Sequence, residues 1–411
     1  MNPLLDVRNV DMTGKVCLIT GGNSGIGKAT ALGLAKLNAS VVIVSRDKDK
    51  GEATLIEMRA KSGNRNLDAM TTDLSSQDSV RELAHDFKAR YKKLHVLINN
   101  AGIFLPKRIQ TVDGLEATFA TNHLGHFLLT NLLVDLLKAS APSRIINLSS
   151  SAHYGTEMDF EDLQGEKKYS GYHAYSQSKL ANVLFTYQLA KQLEGTGVTV
   201  NSLHPGVVRT GFGRDQGGLM SILVTVGRPF MISPDRAARA AIYLATSPEL
   251  EGATGKFFSR GKEKRSSRES YDETSAERLW KVSEELTRLT PETEAALDDQ
   301  TSIYESLRAW ILQMPRVREA PHRIGGVEFQ VDGVGFMHSH GPSWLDIRLS
   351  KEDQASVLKT GQALPHQAQV HAQAGWVSFR IEISQDIANA KKVIHLAYKN
   401  ARKNPGDLES R

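Results

Sequence analysis

Thr20-Gly21-Gly22-Asn23-Ser24-Gly25-Ile26-Gly27 follows the apolar, β-prone run Lys15-Val16-Cys17-Leu18-Ile19 and precedes a helical pattern starting near Lys28. The order is strand, glycine turn, helix. Glycines let the backbone turn sharply and approach a pyrophosphate, while unpaired N–H groups and the positive helix end attract its charge. The spacing Gly-x-x-x-Gly-x-Gly differs from the G-x-G-x-x-G fingerprint of dinucleotide-binding folds. A tight turn without a ligand would also use glycines, but the strand and helix on either side favour a phosphate site. Gly21, Asn23, Ser24, Gly25, Ile26 and Gly27 are its candidate residues.

Further apolar runs continue the pattern. Val41 to Val44 reads as the second strand, Leu94 to Ile98 as the fourth, Arg144 to Leu148 as the fifth, Val198 to Leu203 as the sixth and Lys256 to Ser259 as the last. The fold expected is α/β, a doubly wound (Rossmann) mostly parallel seven-stranded sheet. In such folds an acidic residue ending the second strand holds the ribose 2′-hydroxyl. Here the chain reads Ser45-Arg46. An arginine there would pair with a 2′-phosphate and Ser45 could add a hydrogen bond, so NADP(H) is favoured over NAD(H). The plainer alternative is a solvated arginine neutralised by Asp47. Asp73 and Leu74 after the third strand, and Asn100-Ala101-Gly102 after the fourth, complete the candidate cofactor crevice.

Tyr175-Ser176-Gln177-Ser178-Lys179 places a phenol and an ammonium four positions apart in a helix-forming stretch, so both can project from one face. With Thr20 to Gly27, Asn99 to Gly102, Thr121-Asn122-His123-Leu124-Gly125-His126-Phe127, Leu148 to Ser151 and His204-Pro205-Gly206, this makes six motifs in one order. On those residues the chain resembles the short-chain dehydrogenase/reductase family, of the retinol-dehydrogenase-like type, over about residues 10 to 290.

That resemblance implies an oxidoreductase in which Tyr175 is the general acid/base and Lys179 lowers its pKa and holds the nicotinamide ribose. A free tyrosine titrates near ~10, too high for easy proton exchange at neutral pH without such help. Ser150 aligns with the serine that hydrogen-bonds the carbonyl oxygen, with Ser149 or Ser151 as alternatives. Asn122 aligns with a residue that kinks its helix and holds a proton-relaying water. By the same analogy Pro205, Gly206, Val208 and Thr210 line the nicotinamide. His123, His126, His153 and His173 receive no role. The insertion around Gly155 to Tyr169 is expected to form a flap. The apolar stretch Gly217 to Ile232 stands where the family keeps its substrate lid, suggesting a small lipophilic carbonyl or alcohol substrate. A core helix, a membrane-surface contact or a dimer contact would explain the same stretch. Family members commonly dimerise through the helices near Leu115 to Leu137 and Tyr175 to Leu193, so a homo-oligomer is expected.

The 411 residues carry a net charge of +5, with 40% hydrophobic and 24% charged residues, an ordinary globular balance. The basic run Lys256 to Arg268 is interrupted by Glu263 and reads as a solvated loop or terminal extension rather than a nucleic-acid site. The single cysteine, Cys17, makes an intrachain disulfide impossible and points to a reducing compartment. No apolar stretch approaches the ~18 residues needed to span a bilayer, so a cytoplasmic protein is expected, with membrane contact not favoured.

Beyond about Thr290 the character changes. Residues 291–302 read as a linker, 303–401 as a small α+β domain and 402–411 as a tail. Strands are expected at Val327 to Val331, Gly335 to His338, Trp344 to Leu349 and Trp376 to Ile383, with helices at Lys351 to Lys359 and Ile387 to Asn400. Through His338 to Pro342, Leu345 to Ile347 and Gly375 to Val377, the region resembles a luciferase-like domain of unknown function. His338, His340, His366 and His371 invite a metal hypothesis, but no cysteine accompanies them and no zinc spacing is matched; they read as structural, with no metal expected. The rival reading of the whole chain is a non-catalytic nucleotide-sensing or interaction protein whose C-terminal domain binds a partner.

Overall fold

The computed structural model describes residues 10–208, 232–289, 291–321, 326–339, 344–366, 373–381 and 386–403, in two compact units, Met1–Arg288 and Leu289–Arg411. The first unit is built on β1 (Val16–Thr20), β2 (Ser40–Ser45), β3 (Leu67–Thr71), β4 (Val96–Asn99), β5 (Ser143–Leu148), β6 (Val198–His204), β7 (Lys256–Ser259) and β8 (Lys262–Lys264). Their order across the sheet is β3-β2-β1-β4-β5-β6-β7-β8, with β1 to β7 all parallel. The central strands β1, β2, β4, β5 and β6 are buried along most of their length and rich in Val, Ile and Leu, as strands of a parallel sheet covered by helices are.

Helices α1 (Gly25–Lys36), α2 (Lys48–Ser62), α3 (Gln77–Arg90), α4 (Gly125–Ala139), α5 (Gly171–Gln192), α6 (Pro234–Thr246) and α7 (Glu273–Thr287) complete the unit. α1 and α6 pack closely in the cluster containing Leu34, Ile43, Ile98, Ile242 and Phe258. On α5, Leu180, Ala181 and Leu184 share a second cluster with Leu124 and with Ala276 and Leu279 of α7. The strand order reverses between β1 and β4, so their carboxyl ends open the crevice where such sheets bind ligands.

The sheet carries an eighth strand where a solvated loop was expected. β8 runs antiparallel to β7, and Arg260 (φ +55°) and Gly261 (φ +83°) form the turn between them. Two consecutive residues with positive φ make the two-residue hairpin turn whose twist suits the flanking strands. Lys262, Glu263 and Lys264 are all exposed, so no apolar alternation marks the strand, and charged side chains protect the open edge.

The second unit has a six-stranded antiparallel sheet, β13-β14-β12-β11-β10-β9, formed by β9 (Val317–Pro321), β10 (Val327–Val331), β11 (Val334–Ser339), β12 (Trp344–Arg348), β13 (Leu364–Pro365) and β14 (Trp376–Arg380). Helices α8 (Pro291–Leu312), α9 (Lys351–Lys359) and α10 (Asp386–Lys403) accompany it, and Leu307, Ile311, Val357, Val393 and Ile394 join Phe329, Met337, Ile347 and Val377 in its core. The region is α+β as expected. The linker expected at 291–302 is instead the first half of α8, because proline is well suited to the first helical turn and does not break it there.

No helix among the described residues is long and apolar enough to cross a membrane.

Candidate functional site

The glycine loop leaves β1 with Gly21 (φ +64°) and Gly25 (φ +53°) in the left-handed region, which a side chain would disfavour. A Cβ on Gly22 would fall 2.6 Å from Ile43 Cβ, and one on Gly27 would strike the Gly21 carbonyl and the Asn100 amide. The loop is therefore bare backbone at the start of α1, a cradle suited to a pyrophosphate. Asn100 locks it from across the crevice by donating from Nδ2 to the Thr20 carbonyl at 2.7 Å. Thr20 Oγ1 accepts from the Asn100 and Ala101 amides at 2.9 and 3.0 Å. The end of β4 and the end of β1 thus form one bonded unit at the switch point.

At the end of β2 the two candidate residues part company. Ser45 is buried, and its hydroxyl donates to the Asp47 carbonyl at 2.8 Å, so it shapes the turn instead of facing outward. Arg46 is exposed and has no ion pair or side-chain hydrogen bond among the described residues. Asp47 does not neutralise it: its carboxylate caps α2 through the Lys50 amide at 3.0 Å and pairs with Lys50 Nζ at 2.8 Å. Asp73 is half-buried and accepts from the Ser75 amide and hydroxyl, and the Leu74 carbonyl lies against Gly125 where a Cβ would clash.

Across the crevice, α5 brings Tyr175 and Lys179 to one face, with Lys179 Nζ 5.6 Å from the phenol ring centre. Ser170 caps that helix. Burial pushes the Tyr175 phenol up, and a hydrogen bond with Ser150 acts the other way. Burial pulls the Lys179 ammonium down to about 8. Lys179 Nζ donates to the Leu148 carbonyl at 3.3 Å, and a Cβ on Gly102 would sit 3.3 Å from that nitrogen, so Gly102 leaves the lysine its approach to the crevice.

The three serines after β5 are distinguished by their bonds. Ser149 is buried and donates to the Lys179 backbone carbonyl at 2.7 Å. Ser151 is exposed. Ser150 accepts from the Ala152 amide at 3.2 Å and meets Tyr175.

Asn122 lies within a π-helical turn, Ala120–Leu124, ahead of α4. π-turns carry a residue more per turn than the α-helix, which frees main-chain groups for other partners and recurs at functional sites. The Asn122 side chain accepts from the Ile103 amide at 2.7 Å and donates to the Ile103 carbonyl and Ser178 Oγ at 2.9 and 3.0 Å. Its main-chain carbonyl accepts from Asn182 Nδ2 at 3.0 Å and His126 Nδ1 at 3.1 Å. Pro205, Gly206 (φ +104°) and Val208 follow β6, with Val208 bridging to Ile232. Thr210 and the apolar segment 217–231 lie outside the described residues.

Two of the nearby histidines, His126 and His153, are bonded inside the protein. His126 is pulled by burial to about 3 and bonds Thr20 Oγ1 at 2.9 Å. His153 is buried and its Nε2 accepts from the Ser267 amide at 3.1 Å. His173 is exposed. The insertion expected as a flap is pinned: Gln177 Oε1 accepts from the Asp159 amide at 2.8 Å, and Leu163, Met158 and Phe160 pack on the cluster around Leu124 and Leu180. The sequence reading missed Ser178 and Asn182. Their one signal was a poor helix former inside a helix, which needs a bonding reason to be there.

In the second unit, His338 and His366 place Nε2 3.3 and 3.4 Å from one oxygen of the buried Asp346. Its other oxygen accepts from Ser378 Oγ at 2.6 Å and Trp344 Nε1 at 3.1 Å, so protein donors surround the carboxylate. His340 and His371 lie outside the described residues, and no group of three metal-type ligands converges among those described.

Residues 15–217 match the family model described as short chain dehydrogenase, and residues 333–397 that described as Luciferase domain. The chain is similar to retinol dehydrogenase 12 of Mus musculus, at 47% identity over 278 residues, 68% of this chain and 88% of the relative. It is also similar to retinol dehydrogenase 13 of Homo sapiens, at 47% over 282 residues, covering 67% and 85%. Among solved structures, an uncharacterised protein from Mycobacterium paratuberculosis matches with TM-score 0.56 and 34% identity over 68% of this chain and 96% of that one. The Pseudomonas aeruginosa RhlG/NADP active-site complex matches with TM-score 0.51 and 28% identity over 63% and 97%.

Proposed function

The chain belongs to the short-chain dehydrogenase family of oxidoreductases, and from that premise we propose that its first unit transfers hydride between NADP(H) and a lipophilic carbonyl or alcohol, with Tyr175 as general acid/base. The observation that carries the reading is the meeting of Tyr175, Ser150 and Lys179 beside a bonded glycine loop. NADP(H), when bound, supplies or accepts the hydride. The loop from Gly21 to Gly27 and Asn100 to Gly102 would hold its phosphates and adenosine side, Arg46 its 2′-phosphate, and Lys179 with Pro205 to Val208 its nicotinamide end.

In reduction, the Tyr175 O–H gives its proton to the carbonyl oxygen. Ser150 accepts from the Ala152 amide and meets the Tyr175 phenol, so its own O–H stands beside the proton donor, where it would donate to the same carbonyl oxygen and stabilise the charge developing there. Lys179, nearly dry, puts its positive charge where a forming phenolate needs it. Phe104 stands edge-on to the Tyr175 ring at 5.9 Å, an aromatic wall beside the reacting oxygen that suits an apolar substrate. The retinol dehydrogenase relatives, whose names point to an apolar alcohol, support the same substrate class.

The pH profile follows from Lys179. With its pKa held at about 8, it is an ammonium below that pH and is lost as a cation above it. NADPH-dependent reduction of long-chain aldehydes should therefore be level at neutral pH and fall through pH 8, approaching about ten-fold per unit. A profile level to about pH 10 would remove Lys179 from the mechanism.

Removing the Ser150 hydroxyl in Ser150→Ala should lower kcat about 10²-fold, the usual loss of one donor to a developing oxyanion. Ser149→Ala should cost about 1 kcal/mol in stability, through the lost bond to the Lys179 carbonyl, and leave kcat within about three-fold. The reverse pattern in kinetics and melting would reassign the working serine.

A further inference from the structure

We propose that Ser283, on a helix outside the cofactor crevice, is a positioning residue for the active centre, acting through His123 and Asn182 on the π-turn that carries Asn122. The inference rests on the oxidoreductase reading of the same site. Its basis is a chain of buried hydrogen bonds in which each proton has a single address.

The carbonyls of Asn122 and Leu148 can only accept, so Asn182 donates to both from Nδ2, at 3.0 and 3.1 Å. Its Oδ1 then faces His123 Nδ1 at 3.3 Å and can only accept, which places the imidazole proton on Nδ1. His123 Nε2 is left as the acceptor and takes the Ser283 hydroxyl proton at 2.9 Å. At the far end, the Leu148 carbonyl is shared with Lys179 Nζ at 3.3 Å. The direction of donation runs from α7 into the crevice, where bonds that polarise one another strengthen the series.

Ser283 and His123 are fully buried and Asn182 nearly so. The imidazole is walled by Phe119, Phe127 and Phe185, with ring centres 5.1, 6.1 and 6.0 Å away. Burial among these rings pulls His123 down to about 4, so it stays neutral wherever the enzyme would work. A neutral imidazole can carry its proton on either nitrogen; the Asn182 oxygen holds it on Nδ1, and the Ser283 hydroxyl bonds the Nε2 that is left. Without that hydroxyl Nε2 is a buried acceptor with no donor from α7, and the ring loses the bond that fixes its far edge. Its hold on Asn182 slackens, loosening Asn122 and the Lys179 acceptor together.

A packing role would be filled equally well by alanine, which defines the test. In the full-length protein, Ser283→Ala and His123→Leu should lower kcat about ten-fold while KM and the Kd for NADPH stay within about two-fold. His123→Gln should keep most of the turnover, because an amide can accept from Ser283 and still donate to Asn182. The Asn182 side-chain amide protons, followed by NMR hydrogen exchange, should exchange slowly in the wild type and faster in Ser283→Ala. A Ser283→Ala protein with a lower melting temperature but unchanged kcat and unchanged Asn182 exchange would overturn the proposal. A wild-type protein that binds NADPH yet reduces no carbonyl would instead sink the oxidoreductase reading, and Asn182 exchange would then decide the relay alone.

Discussion

Tyr175→Phe should retain NADPH binding and lose about 10³-fold in kcat, within the range that a positioned acid or base contributes. The substitution keeps the ring, its edge contact with Phe104 and its place on α5, and removes the proton donor and the hydrogen bond with Ser150. Stopped-flow reduction of an apolar aldehyde, with NADPH binding followed by fluorescence in the same preparation, separates chemistry from affinity. Turnover within a few-fold of wild type would end the assignment of Tyr175 as the acid. The rival reading, a nucleotide sensor without chemistry, expects Tyr175→Phe and wild type to bind NADPH alike and neither to react.

Arg46→Asp should reverse the cofactor preference, with a swing of about 10³-fold in the ratio of kcat/KM for NADPH over NADH. Part comes from the lost charge-assisted bonds to the 2′-phosphate, about 1.5–3 kcal/mol. The rest comes from the new carboxylate, which repels that phosphate and accepts from an unmodified ribose hydroxyl. The exposed guanidinium has no competing carboxylate, since Asp47 is held by Lys50 and the α2 terminus. Local structure should survive because Ser45, not Arg46, fixes the turn. A ratio unmoved by the substitution would show that the adenosine end is read elsewhere.

The parts of the molecule that could be read from sequence alone are those where one residue type answers one local demand. Gly21 and Gly25 sit at positive φ, and the apolar runs expected at Val41 to Val44 and Val198 to Leu203 lie within β2 and β6. Parallel strands covered on both faces must be apolar throughout, which makes them visible. β8 and β9 escaped because edge strands carry charged and exposed side chains and show no alternation. The start of α8 was read as a linker, although a proline such as Pro291 suits the first helical turn. Arg46, read as the partner of a 2′-phosphate, is exposed, while Ser45, read as adding a hydrogen bond there, is buried with its hydroxyl turned to the Asp47 carbonyl. Contacts such as Ser283 with His123, 160 positions apart in the chain, leave no periodic trace.

Helix α7 has a last consequence, for self-association. It lays Trp280 against Phe127 of α4 at 4.9 Å and seats Ala276 and Leu279 among Leu180, Ala181 and Leu184 of α5. A second copy approaching the faces of α4 and α5 that lie under α7 would meet a surface the chain has already covered with its own residues. To dock there it would have to peel α7 away and strip water-excluding contacts from both partners. On those faces of α4 and α5 the chain supplies from its own sequence the apolar contacts that a neighbouring molecule would otherwise make.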